Sequence, residues 1–102
     1  MTIYRVCVRA GKDGFETSVE DYECEFRDGF VYLTNFFNLK PIHTSAIDRM
    51  LEGLLYAYDP QLEVYTLDKD RIDPHIERMK ERIRTYLLQR LEYIDYLIDI
   101  CK

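Results

Sequence analysis

The sequence predicts an α+β fold: a three- to four-stranded antiparallel meander packed by one short helix and one long C-terminal helix. Three observations carry that prediction. Residues Thr2 to Ala10 alternate apolar and polar side chains, which is the period of a half-buried strand. Asp28-Gly29 separates two β-rich runs, a strong hairpin signal because both residues tolerate positive φ. From Ile76 onward, Met79, Ile83, Leu87, Leu91, Ile94, Ile98 and Cys101 recur at helical spacing with no interior Gly or Pro, as one face of an uninterrupted helix would.

In the first strand Tyr4, Val6 and Val8 alternate against Arg5, Cys7 and Arg9, and Gly11-Lys12-Asp13-Gly14 turns the chain. A second extended run begins at Phe15 and is expected to bend or bulge around Ser18 to Asp21 before Tyr22-Glu23-Cys24-Glu25-Phe26,. A type I′ turn at Asp28-Gly29 pairs Arg27 with Phe30, Phe26 with Val31 and Cys24 with Leu33. That register gathers Tyr22, Cys24, Phe26, Val31 and Leu33 on one face and leaves Glu23, Glu25, Phe30, Tyr32 and Thr34 on the other. The sheet thus occupies residues 1–35, and its inner face is a bed for a helix.

Beyond the loop aromatics Phe36 and Phe37, the spacing of Ile47, Leu51, Leu54 and Tyr58 predicts a short helix over 45–58. Ser45 and Asp48 would form its capping box, and Asp59-Pro60 would end it,. Residues 62–67 alternate Leu62, Val64 and Thr66 against Glu63, Tyr65 and Leu67, which suits a short fourth strand. Asp73 is positioned to cap a helix over 74–101, with Pro74 in its first turn. Such a helix is about 42 Å long at ~1.5 Å per residue. A compact chain of this length has a radius of gyration near ~13 Å, so the helix should outreach the body it packs on.

The 102 residues, 47% hydrophobic and 32% charged, describe one globular domain over 1–102, large enough to fold without metal or disulfide. Cys7, Cys24 and Cys101 are odd in number and far apart, and Arg5 and Arg9 interrupt the only apolar run near the start. A reducing, cytoplasmic setting fits that usage. No run approaches the ~18 apolar residues of a membrane span, and a net charge of -5 argues against direct nucleic-acid binding or attraction to anionic lipid,.

No catalytic or ligand-binding signature emerges. His43 and His75 lack a Cys or second His at a metal-ligand spacing,. Asp68-Lys69-Asp70-Arg71-Ile72-Asp73 begins like a calcium loop but has Asp73 where the turn needs Gly and Met79 where a bidentate Glu belongs,. Phosphate-binding glycine motifs and a serine nucleophile elbow are missing,. His43 near Ser45 is best read as a loop histidine beside a cap. The expectation is no enzyme, no cofactor and no metal.

What remains is surface. The helix's apolar face widens beyond Tyr86 as Tyr93, Leu97 and Ile100 join it, covering roughly half the cylinder by the 3.6-residue repeat. A homodimer seam burying Leu91, Ile94, Leu97 and Ile98 is favoured over coverage within one chain, although no sustained heptad supports a long coiled coil. Arg90 falls inside that apolar sector, so it must either snorkel past the core edge or pair with an acid across the seam. Arg78, Lys80, Arg82 and Arg84 form a basic cluster with Glu77–Lys80 and Glu81–Arg84 pairs,.

Phe30, Tyr32, Phe36 and Phe37 are candidate partner-binding aromatics, weighed against a core role. Asp13, Glu16, Glu20, Asp21, Glu23, Glu25 and Asp28 face Arg27 alone within one hairpin. Glu23 and Glu25 would stand ~6.7 Å apart on an extended strand, close to a phosphate repeat, though a solvated outer face explains them as well. The compact strand-hairpin-helix plan, the many Tyr and the Asp68-Lys69-Asp70 link into the long helix loosely resemble small proteins of bacterial phages and mobile elements. That resemblance implies an accessory protein that binds and modulates a host component. The expected function is a non-enzymatic protein-protein interaction module, accessory or regulatory, that self-associates through its C-terminal helix and has a protein partner. The alternative is an acidic, nucleic-acid-mimicking inhibitor of a nucleic-acid-binding protein, as in phage or mobile-element counter-defence.

Overall fold

Strand β1 (Thr2–Gly11) is the spine of the sheet, and the computed structural model describes residues 1–34 and 41–101 around it. β1 pairs antiparallel with β2 (Gly14–Arg27) along its whole length, from Gly11↔Gly14 to Thr2↔Glu23. The register is continuous, so the bulge expected between Ser18 and Asp21 is not there. β2 instead outlasts β1, and its last residues pair with β3 (Phe30–Leu33). Arg27↔Phe30, Phe26↔Val31 and Cys24↔Leu33 hold as expected. Asp28 and Gly29 take φ of 52° and 81°, the positive pair a type I′ turn requires,.

Two further strands complete a five-stranded antiparallel sheet of order β4-β3-β2-β1-β5, one strand more than the upper expectation. β4 (Ile42–His43) flanks β3, and β5 (Gln61–Thr66) flanks β1. The α+β class holds, but the sheet is not a simple meander, because β5 returns to the far side of β1.

Burial divides this sheet diagonally. On one face, at the end away from the hairpin, Val6, Val8, Leu62 and Val64 pack with Met79, Ile83 and Leu55, all fully buried. On the other face, at the hairpin end, Ile3, Cys24, Val31 and Leu33 form a second cluster with Tyr22, Ile42, Ile47, Tyr65 and Leu67 against it. Phe26, expected inside, is 43% exposed, since it lies at the sheet's extremity.

The short helix over 45–58 is absent. Thr44–Ala46 is a single 3-10 turn, where the His43 ring accepts from the Ser45 amide at 3.1 Å. The following chain then runs as a strap along the outer edge of β5. The Asp48 amide donates to the Tyr65 carbonyl at 2.7 Å, Leu51 to Glu63 at 2.8 Å and Gln61 to Leu54 at 3.2 Å. Asp48 has φ 61°, which no α-helix contains,. Leu55 is buried, while Leu51, Leu54 and Tyr58, the proposed helix face, are exposed. Satisfying the edge of β5 outweighed a helix of marginal length.

The long helix α1 spans Ile72–Ile100. It starts two residues before the expected position, so the expected cap Asp73 lies within its first turn, and its N-cap Arg71 makes no side-chain cap bond. Asp68 caps the preceding 3-10 turn Lys69–Arg71, its carboxylate accepting from the Asp70 amide at 2.9 Å. The molecule measures 58 × 23 × 20 Å with a radius of gyration of 16.7 Å, well above the ~13 Å of a compact chain this long.

Candidate protein-binding surfaces

Helix α1 has two halves with opposite surroundings. In the first, Met79 and Ile83 are fully buried, His75 nearly so, and Tyr86 packs edge-on against Tyr56 with centroids 5.3 Å apart. From Leu87 through Ile100 every residue is exposed. Leu91 is 55% accessible, Ile94 42%, Leu97 40% and Ile98 53%. Helical spacing sets Leu87, Leu91, Ile94 and Ile98 on one stripe, the geometry of a short helix-to-helix seam. Each such side chain would gain about 1.5–3 kcal/mol on full burial. Arg90 emerges beside this stripe, exposed and without an ion-pair partner among the described residues.

The stripe does not simply stop at Leu87. Toward the N-terminus its line is continued by Arg84 and Lys80, and both lie over the Phe15 ring, at 5.1 and 6.0 Å from its centroid. The expected helix pairs are present: Lys80–Glu77 at 3.7 Å and Arg84–Glu81 at 3.3 Å. Where α1 leaves the sheet, a shallow hollow of about 770 Å³ opens between Leu87, the β1–β2 turn at Lys12, and the Tyr58–Pro60 segment.

The exposed acids Glu16, Glu20, Glu23 and Glu25 of the hairpin surface have neighbours within the chain. Glu23 accepts from the Thr2 hydroxyl at 3.2 Å and pairs with the N-terminal ammonium at 3.4 Å, and Glu25 lies 3.9 Å from Arg27. Glu16 binds Arg9, and Glu20 binds both Arg5 and the Tyr22 hydroxyl. Of the aromatics, Phe30 is half-buried with its ring edge-on to His43 at 5.0 Å, and half-buried Tyr32 lies under the Arg27 guanidinium at 4.5 Å. Phe36 and Phe37 lie outside the described residues. Sequence reasoning missed the exposed aromatics elsewhere: Tyr58 is 92% accessible and Tyr56 71%.

Two polar clusters also escaped sequence reasoning. Asp48 accepts from His75 Nε2 at 2.8 Å and from Arg71 at 2.6 Å, tying the strap to the start of α1. Arg78 can only donate, so His75 Nδ1 accepts from it and Nε2 carries the proton given to Asp48,. Burial works against the Asp48 charge, but hydrogen bonds from His75, Thr66 and Arg71 outweigh it and hold the carboxyl below its ordinary 3.8,. Only the i,i+3 placement of His75 and Arg78 hinted at this cluster, since Asp48 is distant in sequence.

On the sheet face opposite α1, the Arg5 guanidinium meets the two Glu63 oxygens at 3.0 and 3.1 Å and Glu20 at 3.3 Å. The Glu63 bond raises the Arg5 pKa despite partial burial, and burial together with Glu63 pushes the Tyr65 hydroxyl up to about 12. Burial likewise raises the Cys7 and Cys24 thiols, whereas Cys101 is exposed.

Among the described residues no group of three or more His, Cys, Asp or Glu side chains is placed to hold a metal, and no helix is long and apolar enough to cross a membrane. No protein-family model, curated protein or solved structure matches the chain.

Proposed function

We propose that this chain is a non-enzymatic protein-protein interaction module whose first partner is a second copy of itself, held through the C-terminal half of α1. The observation that carries this reading is the exposed stripe Leu87, Leu91, Ile94 and Ile98 on a helix that projects past the sheet. Ordinary surface helices alternate an apolar stripe against a core with a polar face against water. Here an apolar stripe stands exposed where the core has ended, which is expected of a surface completed by another molecule.

Self-association suits the chemistry because the stripe is self-complementary. The projecting half carries the acids Glu92, Asp95 and Asp99 against Arg90, whereas the packed half of α1 carries Arg78, Lys80, Arg82 and Arg84, the last three paired with Glu77, Glu52 and Glu81. Like ends therefore repel and unlike ends attract. The paired state of Glu16, Glu20, Glu23 and Glu25 gives the acidic-inhibitor alternative less support. Solution mass by light scattering across a concentration series tests the reading. A dimer that dissociates on dilution is expected, and a monomer at every concentration overturns it.

A further inference from the structure

We infer that the two copies pair antiparallel, with each helix C-terminus ending over the other copy's Arg84 and in the hollow beside its Lys12. This rests on the self-association proposed above and concerns its geometry. Three observations lead to it.

The first is steric. The line of the seam, followed from Ile98 back through Leu87, runs into Arg84 and Lys80, which already cover Phe15 at the start of β2. A parallel partner would need that space along the packed half of α1, and it would set Arg84 against its own copy. An antiparallel partner sets its own Leu87–Ile98 stripe against the projecting segment alone.

The second is electrostatic. The last turn of α1 contains Asp99 and no basic residue, Lys102 is the first cation in the chain after it, and the carbonyl end of the helix dipole is negative,. In an antiparallel pair, Leu87 faces the partner's Ile98 and Leu91 faces the partner's Ile94. The same register brings Arg84 opposite the partner's Cys101, where its positive charge meets the helix's negative end. The hollow at Leu87 is lined by Lys12 and by Arg9 paired with Glu16, with Asp59, opposite in charge to Lys12, in the same lining.

The third is spatial. The hollow of about 770 Å³ lies at Leu87, the position at which the arriving helix end must be accommodated. The helix seam is short, and contact of the terminus with this hollow extends the buried surface toward the ~1,000 Å² that specific interfaces need. The arrangement is a two-fold pair in which each copy contributes both an end and a receptor.

Cys101 provides the test, since Cys7 and Cys24 are buried and Cys101 alone among the three is exposed. A nitroxide attached to Cys101 of the wild-type chain reports the distance between the two termini by pulsed electron paramagnetic resonance. Antiparallel pairing separates them by about 26 Å along the axis, from ~1.5 Å per residue. A distance distribution centred between about 25 and 35 Å is the expected result, the extra length coming from the interaxial offset of ~8–10 Å. Labels closer than about 15 Å, or ready formation of a Cys101–Cys101 disulfide in the unlabelled dimer under mild oxidation, would mean a parallel pair. That outcome overturns the inference and leaves self-association standing. A monomer by light scattering, with no dipolar signal, overturns both.

Discussion

The two halves of α1 carry the same kind of apolar stripe and meet opposite fates. Before Tyr86, Met79 and Ile83 disappear into the sheet, and after it Leu91, Ile94 and Ile98 stand in the open. The difference lies in neither propensity nor hydrophobicity but in what is opposite: β1 and β5 are shorter than the helix they support. One helix therefore has two settings, anchoring the fold with its first turns and standing uncovered in its last.

The sharpest way to break that comparison is to place the same residue in both halves. Ile83→Asp buries an unpaired carboxylate among Val6, Val8 and Leu62, and is expected to remove more than about 4 kcal/mol, enough to unfold the chain. Circular dichroism and urea titration would show it, and a folded Ile83→Asp protein would mean that the first half is not the anchor. Ile94→Asp should leave the fold and its urea midpoint unchanged at concentrations where the wild type is monomeric. It should nevertheless raise the dimer dissociation constant ~100-fold or more, since each copy forfeits about 1.5–3 kcal/mol of burial. Sedimentation velocity would detect the loss, and an undiminished dimer would remove the stripe from the interface.

A smaller effect sharpens the anchor half. Asp48→Asn weakens the tie from the strap to His75 and Arg71 and should cost about 1–3 kcal/mol. Because the folded Asp48 pKa lies below its ordinary value, the stability it supplies is present above about pH 4 and disappears as pH falls through the folded pKa,. Wild-type stability should therefore decline more steeply than that of Asp48→Asn on acidification below pH ~4, as read by urea midpoints at each pH. Equal slopes would remove Asp48 from the acid limb. The smallest effect is expected at Arg90, whose guanidinium reaches water from the margin of the stripe. Arg90→Met should shift the dissociation constant by no more than a few-fold. Loss of the dimer would instead assign Arg90 an acid across the seam.

The same division explains what the sequence could disclose. β1, the hairpin register at Asp28-Gly29, the strand over Gln61–Thr66 and the length of α1 follow from short-range patterns, and the structure repeats them. The overhang was legible too, because a helix of that length has nowhere to hide in a body this small. The 45–58 region was not. Ile47, Leu51, Leu54 and Tyr58 satisfy a helical period, but the unpaired edge of β5, a distant element, decided the outcome. Asp73 does not cap the helix, because a 3-10 turn capped by Asp68 precedes it and α1 begins at Ile72, a choice local sequence leaves open. β4, two residues long, has no periodicity to read. The Asp48–His75 contact joins residues with no shared pattern. Among candidate site residues, Leu91, Ile94, Leu97 and Ile98 are all exposed, and Phe30 and Tyr32 are half-buried beside His43 and Arg27.

The strap along β5 also bears on how far assembly can go. An uncovered strand edge would let copies add to one another through their backbones, and such addition has no natural end: a ribbon can always accept one more strand. With the outward groups of Gln61, Glu63 and Tyr65 already bonded to the strap, growth from that side is blocked. The other edge of the sheet is β4, only two residues long, so the strap closes the longer of the two edges.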